Sequence, residues 1–129
     1  MRKGFLSHIC YINGTILRKH VVFTSPDKRL LAVKPFRCEI AHTTQCDGLL
    51  IVASKDFDEE ILSFTTQLKQ ELLQAPAIVT TDALRNNKIL QSHCVEPGDE
   101  CTLYTLSPID LSTLVVSDAS RIVMRKVIL

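Results

Sequence analysis

The chain reads as an α+β domain: a small β-sandwich built from N- and C-terminal strand blocks, with one long and one short helix inserted between them. Three observations predict it. Asn13-Gly14 lies between two apolar runs rich in β-branched residues. An apolar stripe at helical spacing starts at Phe57. After Glu96-Pro97-Gly98-Asp99 the pattern returns to short β-like runs. The order gives strands over residues 5–53, helices over 56–90 and strands over 101–129, in a single domain spanning 1–129. Helices separate the two strand blocks, so the blocks have to meet in space if the helices cap one sheet system.

Taken in order, Ile9 to Ile12 and Ile16 to Phe23 flank the Asn-Gly pair, a strong hairpin signal because both residues tolerate positive φ. Leu17, Val21 and Phe23 share one face of the second strand, and Arg18 and His20 the other. Ser25-Pro26-Asp27-Lys28 turns the chain, with proline pre-setting φ. Leu30 to Val33 is a short strand closed by Pro35, and Arg37 to His42 is read as another. Asp47-Gly48 turns into Leu49-Leu50-Ile51-Val52, apolar on both faces and therefore expected to be a central strand covered on both sides. From Asp56 the period changes. Phe57, Ile61, Phe64, Leu68 and Leu72 form one helical face. Asp56 reads as the N-cap, with Glu59 completing a capping box, and Asp58, Glu59 and Glu60 complement the helix dipole on a solvated face. Pro76 ends this helix. A shorter one runs from an N-cap at Thr81 towards Leu90. Three β-like runs follow: Cys101 to Leu106, Leu114 to Ser117 and Arg121 to Leu129.

Composition narrows the function classes. The 129 residues are enough for a core without disulfide staples, and 46% apolar with 22% charged residues is ordinary for a globular domain. A net charge of +1, with 15 basic and 14 acidic residues dispersed, gives no electrostatic footprint for nucleic acid or an anionic membrane. No apolar stretch approaches the roughly 18 residues of a membrane span. The start Met1-Arg2-Lys3-Gly4-Phe5-Leu6 resembles a signal peptide, but Ser7-His8 and Asn13-Gly14 interrupt it. Five cysteines, Cys10, Cys38, Cys46, Cys94 and Cys101, are an odd number with no CxxC spacing; they read as reduced thiols of a cytoplasmic protein.

Several short segments carry a family resemblance by their order. Tyr11-Ile12-Asn13-Gly14-Thr15-Ile16, Arg29-Leu30-Leu31-Ala32-Val33 and Asp47-Gly48-Leu49-Leu50 come first. Thr80 to Leu90, Val95 to Tyr104 and Arg121 to Leu129 follow. Over about two-thirds of the chain this series resembles the composite β-sandwich domain of the amidohydrolases, metal-dependent hydrolases that include dihydroorotases and deaminases. The resemblance implies a sandwich assembled from both strand blocks beside a TIM barrel, with the metal site in the barrel. Two local departures are Glu100-Cys101 where the family has Ala-Asp, and the lack of a proline after Asp47. The larger departure concerns chemistry. A barrel takes roughly 250 residues, far more than the interval between the two strand blocks. The family's His-x-His pair should follow the Leu49 to Val52 strand, and His8, His20, His42 and His93 show no such spacing. No catalytic residue carries over.

Other reactive constellations are thin. His42, Cys46, His93 and Cys94 are the candidate metal ligands, although they lack the paired short spacings of structural zinc. Cys94 beside His93 suggests a thiol and its base, but adjacent strand residues point to opposite faces. Gly4, Gly14, Gly48 and Gly98 are isolated turn residues and form no phosphate loop. The expectation is therefore a non-catalytic binding, scaffold or dimerisation module with no cofactor, whose partner is another protein or a second copy. The alternative is a small metal- or thiol-dependent, hydrolase-like enzyme using His42, Cys46, His93 or Cys94. A sandwich without its barrel would also expose an apolar patch, a common mark of an interaction surface.

Overall fold

The computed structural model describes residues 2–37, 42–75, 79–116 and 118–129. The N-terminal block opens with the hairpin of β1 (Lys3–Ile12) and β2 (Thr15–Thr24). Asn13 and Gly14 connect them with φ of 50° and 78°, the doubly positive turn whose twist matches paired strands. Next, β3 (Leu30–Pro35) pairs antiparallel with β2, and β4 (Thr43–Gln45) pairs parallel with the first half of β1. The second half of β1, from Ile9 to Ile12, pairs parallel with β5 (Leu49–Ser54). Of the proposed Arg37 to His42 strand, residues 38–41 lie outside the described residues.

The chain then enters a 3-10 helix (Lys55–Glu60), which continues into α1 (Ile61–Gln74). Two short helices follow, α2 (Thr80–Arg85) and α3 (Lys88–Gln91). The last strands are β6 (Cys101–Ser107), antiparallel to β5, and β7 (Val123–Lys126), antiparallel to β6. The fold is thus α+β, and the two strand blocks meet at the β5–β6 pair. Gly48 sets that seam. With φ of 86°, it brings its backbone so close to β6 that a Cβ would lie 2.4 Å from the Leu106 carbonyl oxygen.

All seven strands belong to one continuous sheet, in the order β3-β2-β1-β5-β6-β7 with β4 attached to β1. The two walls of the expected sandwich are parts of this one rolled sheet. The start of β3 approaches the start of β6 where Arg29 bridges Glu100: the Leu30 amide donates to the Asp99 carbonyl at 2.9 Å, and the Cys101 amide to the Lys28 carbonyl at 3.0 Å. Rolling encloses one face around Phe5, Cys10, Val22, Leu50, Val52 and Leu103. The other face, with Ile9, Tyr11, Leu49 and Ile51, packs under Phe57, Phe64, Leu68 and Leu72. The central run behaves as its composition requires, with Leu49 to Ala53 at most 1% exposed and alternate residues entering opposite cores. Each such Leu, Ile or Val contributes about 1.5–3 kcal/mol by leaving water.

Four local expectations are corrected. Asp56 does not cap the long helix, because a 3-10 turn precedes α1 and Ser54 stands at its N-cap without a side-chain cap bond. The Ser54 hydroxyl and the Asp58 and Glu60 carboxylates have distant partners instead, described below. The shorter helix starts one residue before Thr81, with Val79 at the N-cap, and breaks at Asn86-Asn87; the Asn87 side chain accepts from the Leu90 amide and starts a new turn. Residues 114–116 form no strand, since Leu114 has φ of 60° and donates its amide to the Asp110 carbonyl; Ser117 is outside the described residues. The final strand is confined to Val123–Lys126, because residues Ala119–Arg121 form a 3-10 turn in which the Asp118 side chain accepts from the Ser120 amide. Pro76, the expected helix stop, is also outside the described residues, and α1 ends at Gln74.

Candidate functional site

Two regions gather the side chains able to do chemistry or binding. The first is the turn that follows β5. Phe57 is fully buried there, edge-on to Phe64, His93 and Tyr104 with ring centroids 5.2, 5.6 and 5.6 Å away. Beside it, Asp58 accepts hydrogen bonds from the Thr102 and Tyr104 hydroxyls, both at 2.7 Å, and from the Lys126 ammonium at 2.8 Å. Burial acts to raise the Asp58 carboxyl, but the hydrogen bonds from Lys126, Tyr104 and Thr102 outweigh it and hold the group below the ordinary carboxylate value. The Tyr104 hydroxyl is pushed well above its ordinary value, first by burial and then by the anionic Asp58 it donates to. Carboxylate and phenol thus hold opposite protonation states at neutral pH, joined by one hydrogen bond.

On the other side of Phe57, His93 Nδ1 lies 3.0 Å from the Ser54 hydroxyl, while its Nε2 meets the Glu60 carboxylate. A serine, a histidine and a carboxylate in hydrogen-bonded series have the connectivity of an activated nucleophile. Acyl transfer also requires donors for a developing oxyanion. Here the Ser54 amide is given to the His93 carbonyl at 3.1 Å and the Lys55 amide to the Glu100 carbonyl at 3.3 Å. The groove of about 350 Å³ at this end is walled by Lys28, Lys55, Asp58, Thr102 and Lys126 among others, and not by Ser54 or His93. The series acts as a brace: it ties the 3-10 turn to the segment that leads into β6.

The second region is the face where α1 passes over β7. A shallow groove of about 440 Å³ runs between them, walled by Ile61, Leu62, Ile122, Val123 and Met124. Leu62 is 81% exposed and Val123 43%. Among the described residues the lining also carries Lys69 and Lys126 and no carboxylate. Along one side runs the outer edge of β7, the end of the sheet order. The Val127 amide bonds to the Leu103 carbonyl at 2.9 Å, so by antiparallel alternation Val123 and Arg125 share that inward orientation. The N–H and C=O groups of Met124 and Lys126 therefore point away from β6.

The four residues singled out in the sequence do not converge. His42 lies beside the start of β1, where its carbonyl accepts from the Gly4 amide, and the Cys46 amide donates to the Leu6 carbonyl nearby. His93 and Cys94 lie at the opposite end, where Ile12 pairs with Val52 and Ser54 follows. Among the described residues, no group of three or more His, Cys, Asp or Glu side chains is placed to hold a metal ion. Nor are the buried thiols poised nucleophiles: burial pushes Cys10 up to about 12 and Cys101 up to about 11, and burial followed by the Asp47 charge raises Cys46. Cys94 is exposed, with its thiol towards the Gln91 carbonyl at 3.5 Å. Cys38 lies outside the described residues. No helix among the described residues is long and apolar enough to cross a membrane.

Sequence reasoning missed both groups, Asp58 with Thr102 and Tyr104, and Ser54 and Glu60 with His93. The one available signal was Asp58 and Glu60 flanking an apolar Phe57 immediately after a doubly buried strand, a position where polar side chains have sheet ends within reach. No protein-family model matches the chain, and no curated protein or solved structure matches it.

Proposed function

We propose that this chain is a non-catalytic interaction module that holds a separate protein on the face formed by β7 and α1. The observation that carries the reading is the conjunction of exposed Leu62 and Val123 with a strand edge that has no partner among the described residues. Exposed edges are normally blunted or covered, and contiguous exposed apolar surface marks contact sites. The turn after β5, by contrast, spends its polar groups on one another. In the same reading the chain is an amidohydrolase-like sandwich without a barrel: β5 and β6 join the two strand blocks, and helices occupy the interval between them. The free thiols of Cys10, Cys46, Cys94 and Cys101 support a reducing compartment such as the cytoplasm.

The test is a photo-crosslinking residue at Val123, with Lys34 on β3 as the control position. A discrete protein adduct from Val123 that Leu62→Asp abolishes is the expected result. Equal labelling from Lys34, or an adduct indifferent to Leu62→Asp, overturns the reading.

The enzyme alternative keeps one foothold, the Ser54–His93–Glu60 series. A fluorophosphonate probe decides it. We expect no adduct on Ser54; stoichiometric labelling that His93→Gln abolishes would move the protein to the serine hydrolases.

A further inference from the structure

Resting on the interaction reading above, we infer that the partner docks by adding a strand to β7, and that the added segment is extended and alternates apolar with acidic residues. Three observations carry this. The backbone groups of Met124 and Lys126 point outward from β7 and offer a new strand a short ladder. The groove beside that edge has an apolar wall formed by Leu62, Ile122, Val123 and Met124. Among the described residues its charged lining is cationic, Lys69 and Lys126, and Arg125 stands exposed on the other side of the strand. Lys126 already serves Asp58, so with the apolar side chains of the added strand in the groove its acidic ones fall on the opposite face, beside Arg125.

The charge also selects against a second copy. Two β7 strands paired with each other would set Arg125 and Lys126 against the same cations of the other chain, and like charges opposed across strands are destabilising. An acidic strand removes that conflict, and side chains alternating between its two faces read the groove on one side and Arg125 on the other.

The experiment uses the whole chain and a short fluorescent peptide that alternates valine with glutamate, with a valine–lysine peptide as control. Binding of the acidic peptide, weakened by salt, and none of the basic one is expected. Arg125→Glu should weaken binding by about fivefold, the scale of an exposed charge pair. Met124→Pro should weaken it by about tenfold, because it deletes an outward donor worth one net hydrogen bond. Proline there removes no bond to β6, so the sheet keeps its ladder. The deciding readout is amide exchange by NMR: peptide should slow exchange at Met124 and Lys126, leaving Val123, Arg125 and Val127 at their already slow rates. Binding at the groove without protection of Met124 and Lys126 overturns strand addition but leaves the interaction reading standing. Equal binding of both peptides, or of neither, overturns the inferred partner chemistry. A dimer in sedimentation that Met124→Pro dissolves would overturn it in favour of a second copy.

Discussion

The turn after β5 and the edge of β7 lie a few residues apart in the sheet and treat their polar groups in opposite ways. At the turn, Asp58 with Thr102 and Tyr104, and His93 with Ser54 and Glu60, form two internally bonded groups on either side of the buried Phe57 ring. At the edge, the backbone groups of Met124 and Lys126 point outward beside an apolar groove and meet no partner among the described residues. Lys126 takes part in both, its ammonium bonded to Asp58 while its backbone faces outward. The difference teaches that density of chemistry-bearing side chains is a poor guide to the working surface here. A cluster whose donors and acceptors are matched internally has little left with which to hold a ligand, whereas a sparse strip with open backbone groups does.

If that contrast is right, damage at the turn should appear as lost stability and damage at the edge as lost binding. Phe57→Ala is the severest case. Removing a fully buried ring that touches three others should lower unfolding free energy by about 3–5 kcal/mol in denaturant titration, and a near-neutral result would mean the turn is not a core element. Asp58→Asn comes next, at about 1–3 kcal/mol near neutral pH, since three donors lose a charged acceptor. It also carries a pH signature. The folded carboxyl is held below the ordinary value of 3.8, so its contribution is complete above that value and disappears as pH falls through the lower folded one. Wild type should therefore lose this stability on acidification, and Asp58→Asn should lose correspondingly less over that window. His93→Gln should cost about 1–1.5 kcal/mol by loosening Ser54 and Glu60, measured by the shift in denaturation midpoint. Leu62→Asp closes the series. At an exposed helix position it should change stability by no more than about 0.5 kcal/mol, while abolishing the Val123 crosslink. A large stability loss there would erase the distinction between the two regions.

What the sequence reveals follows from the range over which its signals act. The Asn13-Gly14 turn, the Phe57 to Leu72 stripe and the doubly apolar Leu49 to Val52 strand are patterns within a few residues, and the fold contains each of them. The two groups at the turn depend on contacts such as Glu60 with His93 and Asp58 with Lys126, separated by 33 and 68 positions. Locally, Asp58 and Glu60 fit a helix start just as well, which is why dipole and capping roles were the natural reading. The rolled sheet was hidden for the same reason, since Arg29 and Glu100 meet only in three dimensions. The exposure of β7 is not a property of its own residues at all: Val123 and Met124 look like core until the order of strands is known.

The position of β5 has a consequence for the chain as it is made. Once residue 54 has been synthesised, the β1–β2 hairpin and β3 have all their residues, and β5 can dock against β1. Its opposite edge waits for Cys101–Ser107, and its helix-side face for Phe64 and Leu68. During that interval the most apolar strand of the protein has one flank open, the state in which nascent sheets stick to their neighbours. A chain cut short between the two strand blocks would thus keep that flank open, and β6 is the strand that closes it.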